Sequence, residues 1–182
     1  MNRPEEPKPN WNILVSAEQL AQTVRRMAGE LNTFYPDGEE IAALVVLEGA
    51  RIFAADLLSQ VTFPIRQDYL SASSYAGRTQ SSGQVRLRGH LPLADKLRDR
   101  RVLLIDDIYD SGRTLAAVQE WVGSCSPAEV KTCVLLEKKI EHVKPVKIDF
   151  LGLSIEDCFA VGYGLDYRGQ HRELPFIAAL ST

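Results

Sequence analysis

Cysteine is scarce in this sequence. Only Cys125, Cys133 and Cys158 occur in 182 residues, and no two of them form a CxxC pair. An odd, scattered set excludes a disulfide framework or a cysteine zinc site, and Cys133 lies inside an apolar stretch, so the thiols act as small apolar groups in a reducing compartment. Long apolar runs are missing too: none approaches the ~20 residues that a membrane-spanning helix needs. The first ten residues, MNRPEEPKPN, have no apolar core of the kind a secretory leader carries. These absences place the protein in the cytoplasm. Surplus positive charge is also absent, since the formal net charge is -3. A surface that coats nucleic acid would be strongly basic, so neither nucleic acid nor membrane is expected as a partner. An anionic ligand stays open, because local placement of Arg and Lys matters more than the sum. No internal repeat or linker-like stretch divides the chain. Its length suits one domain, so the expected organisation is a flexible Pro-rich tail over 1–10 and a single domain over 11–182.

Periodicity supplies the elements. Ile13 to Val15 is a short strand candidate. Ser16 and Gln19 fit a capping box, and Leu20, Val24, Met27, Ala28 and Leu31 follow at helical spacing. Ile41–Leu47, IAALVVL, has the unbroken apolar character of a strand buried on both faces. A helix is predicted over 50–61, with Phe53, Ala54, Leu57, Leu58 and Val61 inward, and a strand over 63–70. Residues 73–84, SSYAGRTQSSGQ, are small, polar and aperiodic, which predicts a mobile loop. Further strands are predicted over 85–88, 102–105, 130–136 and 148–153, with a helix over 113–122 between the second and third of these. Strands alternating with helices imply a parallel sheet covered on both faces, with ligands at the C-terminal strand edge. Leu47-Glu48-Gly49, Asp106–Thr114 and Glu137-Lys138 all fall at such edges.

The most informative stretch is VLLIDDIYDSGRTL, residues 102–115. An apolar strand is expected to end at the adjacent carboxylates Asp106 and Asp107. Asp110 follows, and Ser111-Gly112-Arg113-Thr114 leads into a helix. A polar loop at a helix N-terminus is an anion cradle, because unpaired backbone N–H groups and the helix dipole both face it. Three acids beside a phosphate would repel it, unless the ligand also brings hydroxyls that donate to them or Mg2+ that they hold. A Walker A loop needs a glycine-rich stretch ending in Gly-Lys-Ser/Thr, whereas Arg113 follows Gly112 here. A calcium loop needs acids at alternating positions before a glycine and a distant Glu. An ordinary capped helix accounts for one of the acids but not for the whole pattern.

This pattern resembles the phosphoribosyl pyrophosphate signature of type I phosphoribosyltransferases. In that family the paired acids hold the ribose 2- and 3-hydroxyls and the loop holds the 5-phosphate. The segment DCFAVGYGLDYRGQHRELPFIAAL (157–180) further resembles the C-terminal part of the hypoxanthine-guanine phosphoribosyltransferases, as do LLEK (135–138) and Ser74-Tyr75 before a Ser-Ser-Gly loop. The likeness runs from about Leu44 onward and keeps the family's motif order. It implies an α/β fold of the type I phosphoribosyltransferase kind: a mainly parallel central sheet with helices on both faces, a small hood from the terminal segments and a flexible lid loop. It implies purine salvage, in which the phosphoribosyl group passes from phosphoribosyl pyrophosphate to hypoxanthine, guanine or both, with Mg2+ as cofactor and a homodimer or homotetramer as the assembly.

The resemblance also implies roles. Asp110 matches the acid/base residue beside purine N7. Lys138 matches the donor to the exocyclic oxygen at C6. Phe159 matches the aromatic stacked on the base, and Ala160 offers backbone groups to the purine edge. Asp166 matches a metal-linked carboxylate, joining Asp106 and Asp107 as candidate metal ligands, and Arg172 matches a pyrophosphate contact. Leu47, Glu48 and Gly49 match the pyrophosphate loop, Ser111 to Thr114 the phosphate loop, and Ser74 and Tyr75 the lid. Taken singly, Lys138 beside Lys139 also fits a solvated pair, Phe159 a core aromatic and Arg172 a surface ion pair. The shared motif order explains them together. The chain departs from the family at Glu48, where Lys is common, at Asp106, where Glu is common, at Tyr109, usually aliphatic, and at Arg113, where vertebrate members carry Lys. Two other readings are weighed: a phosphoribosyltransferase preferring xanthine or a pyrimidine, and a non-catalytic nucleotide-sensing regulator, which should bring a basic face or an added module.

Overall fold

The computed structural model describes residues 11–35, 38–74, 85–88 and 94–180. Along the chain the elements are β1 (Asn12–Val15), α1 (Ala17–Phe34), β2 (Ile41–Leu47), α2 (Arg51–Leu58), β3 (Ile65–Ser74), β4 (Val85–Arg88), β5 (Arg101–Tyr109), α3 (Arg113–Ser124), β6 (Glu129–Lys138), β7 (Phe150–Ile155), β8 (Ala160–Val161) and β9 (Ile177–Ala179). The main sheet has six strands in the order β4-β3-β2-β5-β6-β7. All its neighbours pair in parallel except β4, which runs antiparallel along the edge of β3. A second, three-stranded antiparallel sheet, β1-β9-β8, brings both terminal segments together as the expected hood.

Alternation along the strands divides the core. Ala43, Val45, Leu103, Ile105, Cys133 and Leu135 pack with α1 and α2 on one face. Ala42, Leu44, Val46, Val102, Leu104 and Val134 pack with Leu115, Val118 and Val122 of α3 on the other. Successive side chains of a strand point to opposite faces, so a run such as IAALVVL must be apolar throughout to serve both layers. Cys125 and Cys133 are buried as small apolar groups, and burial pushes the Cys133 thiol far up. The capping box of α1 is present: Gln19 N–H donates to Ser16 Oγ at 3.2 Å and Ser16 N–H to Gln19 Oε1 at 2.9 Å. No helix among the described residues is long and apolar enough to cross a membrane.

Of the boundaries that differ from expectation, three are the most instructive. The helix expected over 50–61 ends at Leu58. Asn32 of α1 bonds across to the following segment, donating to Gln60 O at 3.2 Å and accepting from Thr62 N–H at 2.8 Å, so tertiary hydrogen bonds replace the last helical turn. Ser73 and Ser74, expected in a loop, end β3 and pair with Arg86 and Val85 of β4. The tail expected over 1–10 and the remainder of that loop, 75–84, lie outside the described residues. Finally, β5 does not stop before its acids. It runs through Asp106 and Asp107 to Tyr109 because its pairing with β6 continues to Tyr109–Glu137.

That last difference builds the site. Pairing of β5 with β2 ends at Val45–Ile105, while β2 stays paired with β3 as far as Leu47–Ser71. The sheet therefore forks beyond Ile105. The chain leaves β2 toward β3 on one side and enters β5 on the other, so this fork is the switch point where open α/β sheets take their ligands.

Asp149 fastens the far side of the sheet. Its carboxylate accepts from Thr132 N–H at 3.0 Å and pairs with Lys131 at 3.3 Å and Lys147 at 2.9 Å. Burial works to raise its pKa, but these donors outweigh it and hold the carboxyl below its ordinary value. A depressed carboxyl stabilises above its unfolded pKa, and the contribution is lost as pH falls through the lower folded value. Asp149→Ala should lose about 2 kcal/mol at neutral pH, as for other hydrogen bonds to a charged group. Thermal melts should show the wild-type advantage shrinking below about pH 4, the unfolded carboxyl range. A deficit that does not change between pH 7 and pH 3 would assign the loss to packing instead.

Candidate active site

The fork opens a cleft of about 500 Å3. One wall is Leu47, Glu48 and Gly49, the turn between β2 and α2. The Leu47–Glu48 peptide is cis. Gly49 packs directly against Asp107: a Cβ there would stand 1.6 Å from Asp107 Oδ2, so only glycine lets this backbone come so close to that carboxylate.

Asp106 and Asp107 form the floor. Asp106 is only 4% exposed, and its Oδ1 accepts from Asp107 N–H at 3.0 Å. Asp107 Oδ1 accepts from Ile108 N–H at 2.9 Å. Burial, reinforced by the neighbouring Asp107 carboxylate, pushes the Asp106 carboxyl well above the usual range. Burial also raises Asp107, against the hydrogen bonds from Asp106 and Ile108 and the charge of Arg172. Two adjacent buried carboxyls ionise together only when a cation or hydroxyl donors offset their charge.

Beyond the acids, Asp110, Ser111, Gly112 and Thr114 curve round the mouth of the cleft. Gly112 holds the N-cap position of α3 at φ 79°, and the helix has no side-chain cap. The leading amides of α3 are thus free of a side-chain partner, in the geometry that receives an anion. A Cβ on Gly112 would come within 2.0 Å of Lys144 O, a second reason for glycine. Arg113 begins α3 and is not among the residues lining the cleft.

Lys138, ending β6, reaches Asp110 Oδ2 at 3.1 Å and Asp157 Oδ1 at 3.2 Å. Burial would lower its pKa, but hydrogen bonds and charge from Asp110 and Asp157 outweigh this and raise it above its ordinary value. It is therefore a fixed cation at neutral pH. Phe159 and Ala160 lie beside it on the hood side. Phe159 is 48% exposed and meets Tyr167 edge to face at 5.5 Å, so it is an open aromatic platform and not a core residue. Asp166 pairs with Arg172 at 2.7 Å and accepts from Gly169 N–H at 2.6 Å. Arg172 also donates to Gly164 O.

The structure thus gathers the expected residues of five separate segments into one cleft. Ser74 closes β3, and Tyr75 lies outside the described residues. Sequence reading passed over Asp157, whose carboxylate helps hold Lys138, and Leu165 and Ile108, which line the cleft. Leu165 and Ile108 look like ordinary core positions, and nothing in the sequence pairs Asp157 with Lys138.

Among the described residues no group of three His, Cys, Asp or Glu could by itself cage a metal ion. The donor set nonetheless suits Mg2+. Asp106, Asp107 and Asp166 offer hard carboxylate oxygens a few at a time, and Mg2+ is ordinarily held by one or two carboxylates together with substrate phosphates and water. Both Asp166 oxygens are engaged, yet each retains a second lone pair for a hydrated cation. Five carboxylates line the cleft, Glu48, Asp106, Asp107, Asp110 and Asp166, against the cations Lys138 and Arg172. A polyanionic ligand enters such a site only with accompanying positive charge.

Comparison with known proteins agrees with this geometry. The phosphoribosyl transferase domain family matches residues 10–168. The hypoxanthine-guanine phosphoribosyltransferase of Bacillus subtilis is 36% identical over 168 residues, 92% of each chain. The hypoxanthine phosphoribosyltransferase of Salmonella typhimurium is 32% identical over 171 residues, 93% of this chain and 95% of that one. The crystal structure of a hypoxanthine-guanine phosphoribosyltransferase from Bacillus anthracis superposes with a TM-score of 0.83 at 34% identity, covering 93% of this chain and 98% of the other. Fold, cleft and relatives lead to one conclusion: the chain belongs to the phosphoribosyltransferase family, among its hypoxanthine-guanine members.

Proposed function

We propose that the protein is a purine-salvage enzyme that transfers the phosphoribosyl group of phosphoribosyl pyrophosphate to hypoxanthine, guanine or both, releasing pyrophosphate and forming IMP or GMP. The observation that carries this reading is the meeting, at one fork of the sheet, of the acid-bearing end of β5, the uncapped start of α3 and the Lys138 cation. Asp106 and Asp107 accept from the ribose hydroxyls. Ser111 to Thr114, with the α3 amides, hold the 5-phosphate. Leu47 to Gly49 and Arg172 face the pyrophosphate. Phe159 stacks on the base, Ala160 meets its edge through the backbone, and Lys138 donates to the oxygen at C6. A cation at that place favours 6-oxopurines over adenine, whose amino group would meet it donor to donor.

In the reaction the purine N9 bonds to the anomeric carbon as pyrophosphate departs from the opposite face, inverting the centre through an oxocarbenium-like transition state. N9 attacks through its lone pair in the tautomer protonated at N7; the N7 proton becomes more acidic as the N9 bond forms, and the Asp110 carboxylate accepts it. Asp106, Asp107 and Asp166 would hold Mg2+, which would supply positive charge to offset that of the departing pyrophosphate. Asp166 is itself fixed by Arg172, so the two act as one unit at that end of the cleft. The enzyme works as a single domain over 11–182 in the cytoplasm, as a homodimer or homotetramer.

Steady-state assay of hypoxanthine, guanine, xanthine and adenine with the donor and Mg2+ tests this reading. Turnover of one or both of the first two is expected, and turnover of neither would end it. Lys138→Ala should raise the KM for hypoxanthine by about ten- to a hundredfold, the worth of a hydrogen bond from a charged donor, while the donor KM stays within about twofold. An equal rise in both would remove Lys138 from base selection.

A further inference from the structure

The connection from β6 to β7, residues 139–149, folds back onto the loop that follows β5. Lys144 N–H donates to Ser111 O at 3.0 Å, and Val146 N–H donates to the Tyr109 hydroxyl at 3.0 Å. The ring of His142 also stacks on Tyr109, with centroids 3.8 Å apart and planes 23° from parallel. Its Nδ1 lies within hydrogen-bond distance of the Asp110 backbone oxygen. A carbonyl only accepts, so Nδ1 carries the hydrogen in this contact. Nε2 stands 3.5 Å from Glu137 Oε1, and the side chain is 15% exposed. His142 does not line the cleft.

We propose that His142 is a positioning residue for the transfer step. The stack on Tyr109 fixes the plane of the ring, and the fixed ring fixes the Asp110 carbonyl. With that peptide held, the Asp110 carboxylate is aimed at the base and the amides of Ser111 and Gly112 at the sugar phosphate. Tyr109 thereby serves as the platform that makes the clamp possible. The inference rests on the reading that this loop holds the sugar phosphate and that Asp110 handles the N7 proton.

Two variants separate the parts. His142→Phe keeps a ring on Tyr109 and removes the donor. His142→Asn removes the ring but can place an amide N–H where Nδ1 stands. In His142→Phe, kcat should fall by about ten- to a hundredfold, the scale of a small misplacement of reacting groups, with a raised donor KM and an unchanged base KM. His142→Asn should recover most of that kcat. In the free protein, hydrogen exchange at the Lys144 amide should quicken in the Phe variant and return toward wild type in the Asn variant. Wild-type kcat and wild-type Lys144 protection in His142→Phe would overturn the inference. So would Phe and Asn variants that lose activity equally, or a loss of base KM and melting temperature together. If the unaltered protein transfers no base, the proposed function fails, and the Lys144 exchange still decides whether His142 clamps the loop.

Discussion

Asp110→Asn should lower kcat for hypoxanthine by about two to four orders of magnitude, the usual reach of a positioned acid/base group. The substitution keeps the shape of the side chain, so the loop and its contact with His142 are undisturbed. What disappears is the negative oxygen, which now stands 3.1 Å from Lys138 Nζ. An amide oxygen is too weak a base to take the proton that N7 gives up as the bond at N9 forms. Lys138 keeps its second partner, Asp157 at 3.2 Å, so its position and charge persist in the variant. In the proposed arrangement Asp110 meets the base and not the donor, so the KM for phosphoribosyl pyrophosphate should change little. Steady-state kinetics with each substrate varied in turn make the check. An unchanged kcat with a raised base KM would assign Asp110 to binding alone.

Where every side chain shares one environment, the sequence is sufficient. The strand Ile41–Leu47 is legible to the residue because it is buried on both faces and must be apolar from end to end. The capping box at Ser16 is equally legible, since its partners lie three residues apart. The end of β5 is not. Periodicity registers the polarity of side chains, and Asp106-Asp107 looks like a strand end, whereas the backbone goes on pairing with β6 as far as Tyr109. The consequence is functional, because the acids sit on a rigid strand at the fork and not on a loose turn. The site shows the same division. The acid-rich turn, Lys138 and the 157–172 segment keep a recognisable order along the chain. His142 and Asp157 act only through contacts across the sheet edge, set by how two connections pack, and no spacing in the sequence announces them.

Asp106→Asn should abolish useful binding of the donor and yet make the free protein more stable. Asp106 is almost fully buried beside Asp107, with a backbone N–H as its donor and no ion-pair partner of its own among the described residues. Its carboxyl is raised above the unfolded value, so the folded state binds more protons than the unfolded state between those two values. Stability therefore falls as pH rises through that window, beginning near pH 4, where the unfolded carboxyl titrates, and the loss is complete above the folded pKa. Asn keeps an oxygen for Asp107 N–H and carries no charge to bury. At neutral pH the variant should gain about 1 kcal/mol, or about 3 °C in Tm, typical of relieving an active-site group held for function. The gain should vanish toward pH 4, where the wild-type carboxyl is protonated. Donor with Mg2+ should reverse the ranking, raising the wild-type Tm by stabilising the ionised pair and leaving Asp106→Asn unmoved. Melts across pH, with and without donor and Mg2+, read both halves. A variant no more stable than wild type at neutral pH would mean that the buried pair is already compensated, and one shifted by donor as strongly as wild type would take Asp106 out of the sugar site.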